Sequence, residues 1–355
     1  MLKMAEERHN ELIRQLVREF GDVPYPNLTF EMVAAVLKMA QEDGDLLDHK
    51  IATNALKEMR HAFRTFHAHR GTRKVSMWGS ARVGEDDPRY VLARDFARTM
   101  ADRGWMVITG AGPGIMAAGN EGAGRERSFG LGIDLPFENK PNVHIEDDPK
   151  FIHFKYFFIR KLFFVREASA VALFPGGFGT MDEAFEVLTL LQTGRSPILP
   201  LVLVEPPAST YWKGFQRFLE DELVPQGLIS RVDLRLFRRC TSAQEAADEI
   251  FGFYENYHSM RYVGRNLVLR YTTPLPEDEV AALPSRFPKV FVEGKPVQSG
   301  PLPEEADEPH LAALTRLAFP YTGGVAPIRV LLDHVNELAK RSRSRPSGAS
   351  ASPKG

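Results

Sequence analysis

Apolar positions in the first 68 residues recur at helical spacing: Leu12, Ile13, Leu16 and Val17, then Met32, Val33, Val36 and Leu37, then Ile51, Leu56, Met59 and Phe63. Gly21, Pro24, Pro26 and Gly44 interrupt the pattern, which therefore predicts three helices. From Val75 the period changes. Short apolar runs at residues 75–78, 106–109, 129–133, 171–174 and 200–204 are separated by helical stretches. Such alternation predicts an α/β fold, a Rossmann-like doubly wound parallel sheet covered on both faces. Beyond about residue 256 the signals weaken, with candidate strands at 266–271 and 289–292, many prolines, and a helix near 328–340. The pattern divides the chain into an N-terminal helical extension (1–68), the Rossmann-like domain (69–255), a C-terminal α+β extension of unassigned role (256–340) and a tail (341–355). The tail lacks apolar residues able to order it, and its arginines are those of a solvated segment.

With 355 residues, 43% of them hydrophobic, the chain can bury a substantial core. Forty-five basic and forty-six acidic side chains leave a net charge of -1, so a nucleic acid is not an expected partner and phosphate recognition has to be local. No run approaches the roughly 20 apolar residues of a membrane helix, and the charged, amphipathic start differs from a signal peptide; a soluble, cytoplasmic protein with no membrane partner is expected. The lone Cys240 excludes an internal disulfide and a cysteine zinc cage.

The most informative stretch is PGGFGTMDE, residues 175–183, which follows the apolar run 171–174 and opens a helical pattern. Amides freed by a glycine turn, with the positive end of the helix dipole behind them, suit a phosphate. Glu183, expected in the first helical turn, would then lie beside that seat, where a carboxylate suggests chemistry on the sugar or base. A glycine turn before an acidic helix start explains the same residues without a ligand. Gly79 and Ser80 follow the first strand, and residues 109–116 (TGAGPGIM) follow the second. The latter is no Walker loop, lacking Lys-Ser or Lys-Thr, and its Gly110, Gly112 and Gly114 miss the full dinucleotide spacing. Tight strand-to-helix packing, with Pro113 at the helix start, accounts for it equally. Residues 151–164 read as one helix, apolar nearly all round yet carrying Lys155, Arg160 and Lys161. A guanidinium on such a helix calls for an anion, unless its stem lets it reach water. His144 and His153 read as structural or surface residues. No His/Asp/Glu set has metal spacing and no Ser/His/Asp arrangement is present, so neither a metal nor another cofactor is expected.

At these residues the chain resembles the LOG (Lonely Guy) family. Residues 175–183 fit its P-G-G-x-G-T-x-x-E signature and Arg160-Lys161 its R-K pair; residues 156–161 and 174–194 are similar to the bacterial branch. Gly79-Ser80 and residues 110–116 resemble the family's two earlier nucleotide-contact turns, and the resemblance covers about residues 73–255. It implies a nucleoside 5′-monophosphate phosphoribohydrolase that splits the N-glycosidic bond to free base and ribose 5-phosphate. The implied catalytic pair is Arg160 and Glu183. Gly176, Gly177, Gly179 and Thr180 would hold the phosphate and ribose; Gly79, Ser80, Gly110, Gly112, Gly114 and Lys161 would make further nucleotide contacts. An AMP-like nucleotide is the implied small-molecule partner, with cytokinin ribotides a narrower option, and a homo-oligomer, dimer or higher, the implied assembly. Members were long labelled lysine decarboxylases, but the sequence offers no pyridoxal-phosphate lysine context. Related Rossmann proteins carry phosphorylated cofactors such as the molybdenum cofactor, which leaves a non-catalytic carrier as the alternative. Two departures stand out: Met116-Ala117 replaces a common Met-Glu, and Phe157-Phe158 replaces the Met-His of plant-type members.

Overall fold

In the computed structural model, which describes residues 2–42, 44–135 and 140–344, the chain separates into two compact units, residues 1–61 and 62–355. The first holds α1 (Leu2–Glu19), α2 (Pro26–Gln41) and most of α3 (Leu46–His67). These are the three helices that the apolar spacing predicts. Pro26 opens α2, where its fixed φ and missing N–H fit a first helical turn.

In the second unit the order is β1 (Lys74–Trp78), α4 (Pro88–Asp102), β2 (Met106–Thr109), α5 (Ile115–Ala123), β3 (Ser128–Ile133), β4 (Phe151–Phe154), α6 (Phe157–Arg166), β5 (Ala170–Leu173), α7 (Phe178–Gln192), β6 (Leu201–Val204), α8 (Tyr211–Phe218), β7 (Phe237–Cys240) and α9 (Ala243–Phe253). The seven strands are all parallel, in the order β4-β3-β2-β1-β5-β6-β7. This is the doubly wound α/β sheet that the alternating pattern predicts. Every residue of β1, β2, β5 and β6 is buried, as parallel strands covered on both faces require. Val75, Met77, Ala170 and Ala172 pack against Phe96 and Met100 of α4 and Ile250 of α9. On the opposite face the Ser76 hydroxyl donates to the Phe164 carbonyl of α6, and Phe66 stacks on Phe129 at 4.4 Å.

Two strands of this parallel sheet escape the sequence reading. Phe151–Phe154 is an edge strand and not the start of a helix; α6 begins only at Phe157. In β7 the two middle residues are exposed arginines, so no apolar run marks it. Cys240 ends that strand, buried, its thiol pushed up to about 12 chiefly by burial.

The carboxyl segment forms β8 (Tyr257–Val263), β9 (Asn266–Tyr271), α10 (Glu277–Arg286), β10 (Val297–Ser299), β11 (Thr315–Pro320) and α11 (Val325–Ser344). Its antiparallel sheet has the order β10-β11-β9-β8. Leu267, Leu269, Leu317 and Phe319 face Ile328, Leu331 and Val335 of α11 in a separate core. The expected strand at 289–292 is instead a run of turns and bends. The helix expected to end near 340 continues to Ser344, and the rest of the expected tail, 345–355, lies outside the described residues.

Buried charge ties this sheet to its connecting loop. Glu305 accepts from Arg270 Nε at 2.7 Å, Arg316 Nε at 2.9 Å and the Leu302 amide at 2.9 Å. Burial alone would raise the Glu305 pKa, but the Leu302 N–H, Arg316 and Arg270 outweigh it and hold the carboxyl at about 2.

Candidate functional site

The strand order reverses at β1, which has β2 on one side and β5 on the other. In a doubly wound sheet a crevice opens at the carboxyl ends of the strands at such a point. Here the cleft has a volume of about 720 Å³ and is walled by the turns that leave β1, β2, β3 and β5. These turns are bonded to one another. The Ser80 amide donates to the Pro175 carbonyl (3.1 Å), and the Ile115 amide donates to the Ser80 carbonyl (3.0 Å).

Glycine is required at specific places. A Cβ on Gly176 would stand 2.1 Å from Thr180 Oγ1 and 2.9 Å from the Ser80 amide nitrogen, so the loop closes on the helix start only without a side chain. A Cβ on Gly110 would meet Arg160 Nη2 at 2.4 Å, and one on Gly79 would meet Ile115 at 2.7 Å. Gly177 and Gly179 face open space, leaving their backbone accessible at the start of α7. The Tyr211 hydroxyl donates to the Gly176 carbonyl at 2.6 Å and steadies the loop from α8.

Of the sequence-predicted residues, the cleft brings together Gly79, Ser80, Gly110, Gly112, Arg160, Gly176, Gly177, Gly179, Thr180 and Glu183. Two lie elsewhere. Gly114, at φ 65°, packs under the Ser80 carbonyl and serves the turn. The Lys161 ammonium is held by Asp182 at 2.7 Å and Glu186 at 2.8 Å, where it clamps α6 to α7 behind Glu183.

Glu183 stands in the second turn of α7, one turn deeper than expected, because the helix already begins at Phe178. It is only 6% exposed and its Oε2 has no hydrogen-bond partner. Burial pushes its carboxyl up to about 7, against the pull of Lys161 and Arg160. The Arg160 Nε donates to the Leu131 carbonyl at 2.8 Å, and its guanidinium lies 5.1 Å from the Phe164 ring centre. Burial lowers the Arg160 pKa to about 10, with Glu183 pulling it back. Among the described residues no ion pair joins Arg160 and Glu183. Both groups line the same cleft close enough to feel each other, and neither satisfies the other.

Sequence reasoning passed over several cleft residues. His153, read as structural or surface, is at the carboxyl end of β4 with its Nε2 3.4 Å from Asp134 Oδ1. Recognising β4 would have flagged it, since carboxyl ends of strands meet ligands in this architecture. Phe157 follows from the same strand-to-helix turn; Arg82 and Tyr211 carried no motif. No group of three or more His, Cys, Asp or Glu with metal-binding geometry occurs among the described residues. Nor is any described helix long and apolar enough to cross a membrane.

Residues 116–250, which include Arg160 and Glu183, match a family model described as "possible lysine decarboxylase". The chain is 27% identical over 184 residues to a pyrimidine/purine nucleotide 5′-monophosphate nucleosidase of Escherichia coli (strain K12), a match covering 49% of this chain and 40% of that protein. It is 32% identical over 107 residues to a protein of Oryza sativa subsp. japonica described as a probable cytokinin riboside 5′-monophosphate phosphoribohydrolase, covering 30% of this chain and 48% of that one. The chain thus spans half or less of the length of these curated relatives. Among solved structures, the molybdenum cofactor carrier protein of Chlamydomonas reinhardtii aligns with a TM-score of 0.35 and 18% identity, over 51% of this chain and 96% of that chain.

Proposed function

We propose that the chain is a LOG-family protein through its central domain and acts as an N-glycosyl hydrolase of nucleoside 5′-monophosphates. The products are a free base and ribose 5-phosphate. The observation that carries this reading is the Glu183 carboxyl, buried in the cleft with an oxygen unpartnered and with Arg160 nearby but bonded elsewhere. A buried, unpaired carboxylate is costly to maintain, and a ligand that develops positive charge beside it relieves that cost.

Breaking the ribosyl C–N bond develops such a charge on the sugar. In this reading the phosphate sits on the amides of Gly177 and Gly179 with Thr180, at the positive end of α7. That places the ribose over Glu183, whose ionised form stabilises the oxocarbenium-like transition state and orients the attacking water. Arg160, fixed by the Leu131 carbonyl, supplies a charge that holds the phosphoester in register and does not titrate in the working range. The base then extends toward Phe157 and His153 at the outer wall of the cleft. An AMP-like purine nucleotide suits this arrangement, and the broader purine and pyrimidine range suits it as well.

The test is incubation of the full chain with a panel of nucleoside 5′-monophosphates and the matching nucleosides, with free base followed by chromatography. Base release from the monophosphates and not from the nucleosides is the expected result. Tight stoichiometric capture of a nucleotide without turnover would replace the hydrolase by a carrier of phosphorylated ligands.

A further inference from the structure

A second cavity, of about 660 Å³, opens at the amino ends of β1 and β5, the opposite end of the parallel sheet from the cleft. Arg73 and Lys74 reach it from the start of β1, and Ala168 and Ser169 from the chain entering β5. His258 of β8, with His310 and Leu311, closes it from the carboxyl segment. Arg166 ends α6, the helix that carries Arg160; the two lie about 9 Å apart along its axis, so the cavities are separate but share one element.

The charge in this cavity is unbalanced. Arg70, Arg73, Lys74 and Arg166 line it against one carboxylate, Glu167, which is already paired with Arg166. The Arg73 guanidinium lies 3.5 Å from the Tyr254 ring centre, and its Nη1 is buried without a hydrogen-bond partner. Tyr254 is itself fixed by donation to the Ser169 carbonyl at 2.6 Å. The Lys74 ammonium donates to the carbonyls of His69 at 2.8 Å and Thr72 at 3.0 Å, and it shares with Arg166 the attraction of Glu167. Burial, then the neighbouring Arg73, Arg270 and His310, lowers the His258 pKa, which reports the same positive field. Arg73 and Lys74, half-buried and buried with too little counter-charge nearby, call for an anion.

We propose that this cavity is a second ligand site, which binds a phosphorylated small molecule carrying at least two negative charges. Four cations against one carboxylate leave a surplus of three positive charges, more than a single carboxylate ligand would balance, and planar guanidiniums beside an ammonium match phosphate oxygens. The volume admits a ligand well beyond inorganic phosphate and lies within the range of small-molecule pockets.

The experiment is calorimetric titration of the full chain with inorganic pyrophosphate and, separately, with ADP. Saturable pyrophosphate binding is expected in the wild type and in Arg160→Gln, whose change lies in the cleft. Arg73→Gln and Arg166→Gln should each weaken it roughly tenfold or more, as expected for loss of a charged hydrogen-bond donor. Arg166 is exposed, so its variant keeps the test valid if Arg73→Gln fails to fold. Tighter binding of ADP than of pyrophosphate assigns the ligand as a nucleotide, and equal binding assigns recognition to the phosphates alone. Absence of saturable pyrophosphate binding, or binding that the folded Arg73 and Arg166 variants leave unchanged, overturns the proposal.

Discussion

Replacing Glu183 by Gln is expected to make the protein more stable and inactive. Burial lifts this carboxyl from its ordinary 4.5 to about 7, so the folded chain holds the proton more tightly than the unfolded chain. Between those two values the native state binds more protons, and its stability falls as pH rises; above about 7 the whole penalty is present. A displacement of that size corresponds to about 3 kcal/mol at about 1.4 kcal/mol per pH unit. Gln has nearly the same shape and cannot ionise. The variant should therefore match the wild type near pH 4 and exceed it by about 3 kcal/mol near pH 8. In thermal unfolding that is a rise in Tm of about 5 °C, present only at the higher pH. Base release measured on the same samples should drop by about a hundredfold or more. A stability gap that does not widen with pH, or a variant less stable than wild type near pH 8, would refute the reasoning about this carboxyl.

Three further outcomes are expected. In the wild type, kcat/KM should rise with pH through about 7 as Glu183 ionises, and a profile that falls across this range would make the protonated form the active one. Gly176→Ala forces a Cβ against Thr180 and the Ser80 amide and should cost about 1–3 kcal/mol in unfolding experiments together with nucleotide affinity, whereas Gly177→Ala, which meets nothing within 4 Å, should leave stability nearly unchanged. Glu305→Ala leaves the buried Arg316 without its carboxylate and Arg270 with Glu308 alone, and should lose about 3–5 kcal/mol by thermal or denaturant unfolding, with no effect expected on the cleft's chemistry if the chain remains folded.

The central sheet was legible in the sequence because its inner strands are buried on both faces and read as unbroken apolar runs. The edge strands were not. In β4, Phe151 and Phe154 merge with the aromatic run of α6, and only the backbone break at Tyr156 divides them. In β7, Arg238 and Arg239 face solvent at the sheet margin, which removes the apolar signal. Residues 289–292 carried the opposite error: Val290 and Phe291 are buried as a strand pattern suggests, but as a turn packed on the C-terminal core. In the cleft, the glycine signature and Arg160 were visible as local motifs. The separation of Arg160 from Glu183 was not, because the Leu131 carbonyl that takes up the guanidinium's Nε comes from a strand 29 residues earlier. Lys161 shares a motif with Arg160, but the adjacent position on a helix faces elsewhere and meets Asp182 and Glu186.

The most direct test of the account is the product balance from AMP, with wild type and Glu183→Gln side by side and nucleotide binding measured on both. One adenine per ribose 5-phosphate from the wild type, and retained AMP binding without base release in the variant, is the expected result. Adenosine and inorganic phosphate as products, or undiminished adenine release by the variant, would contradict it.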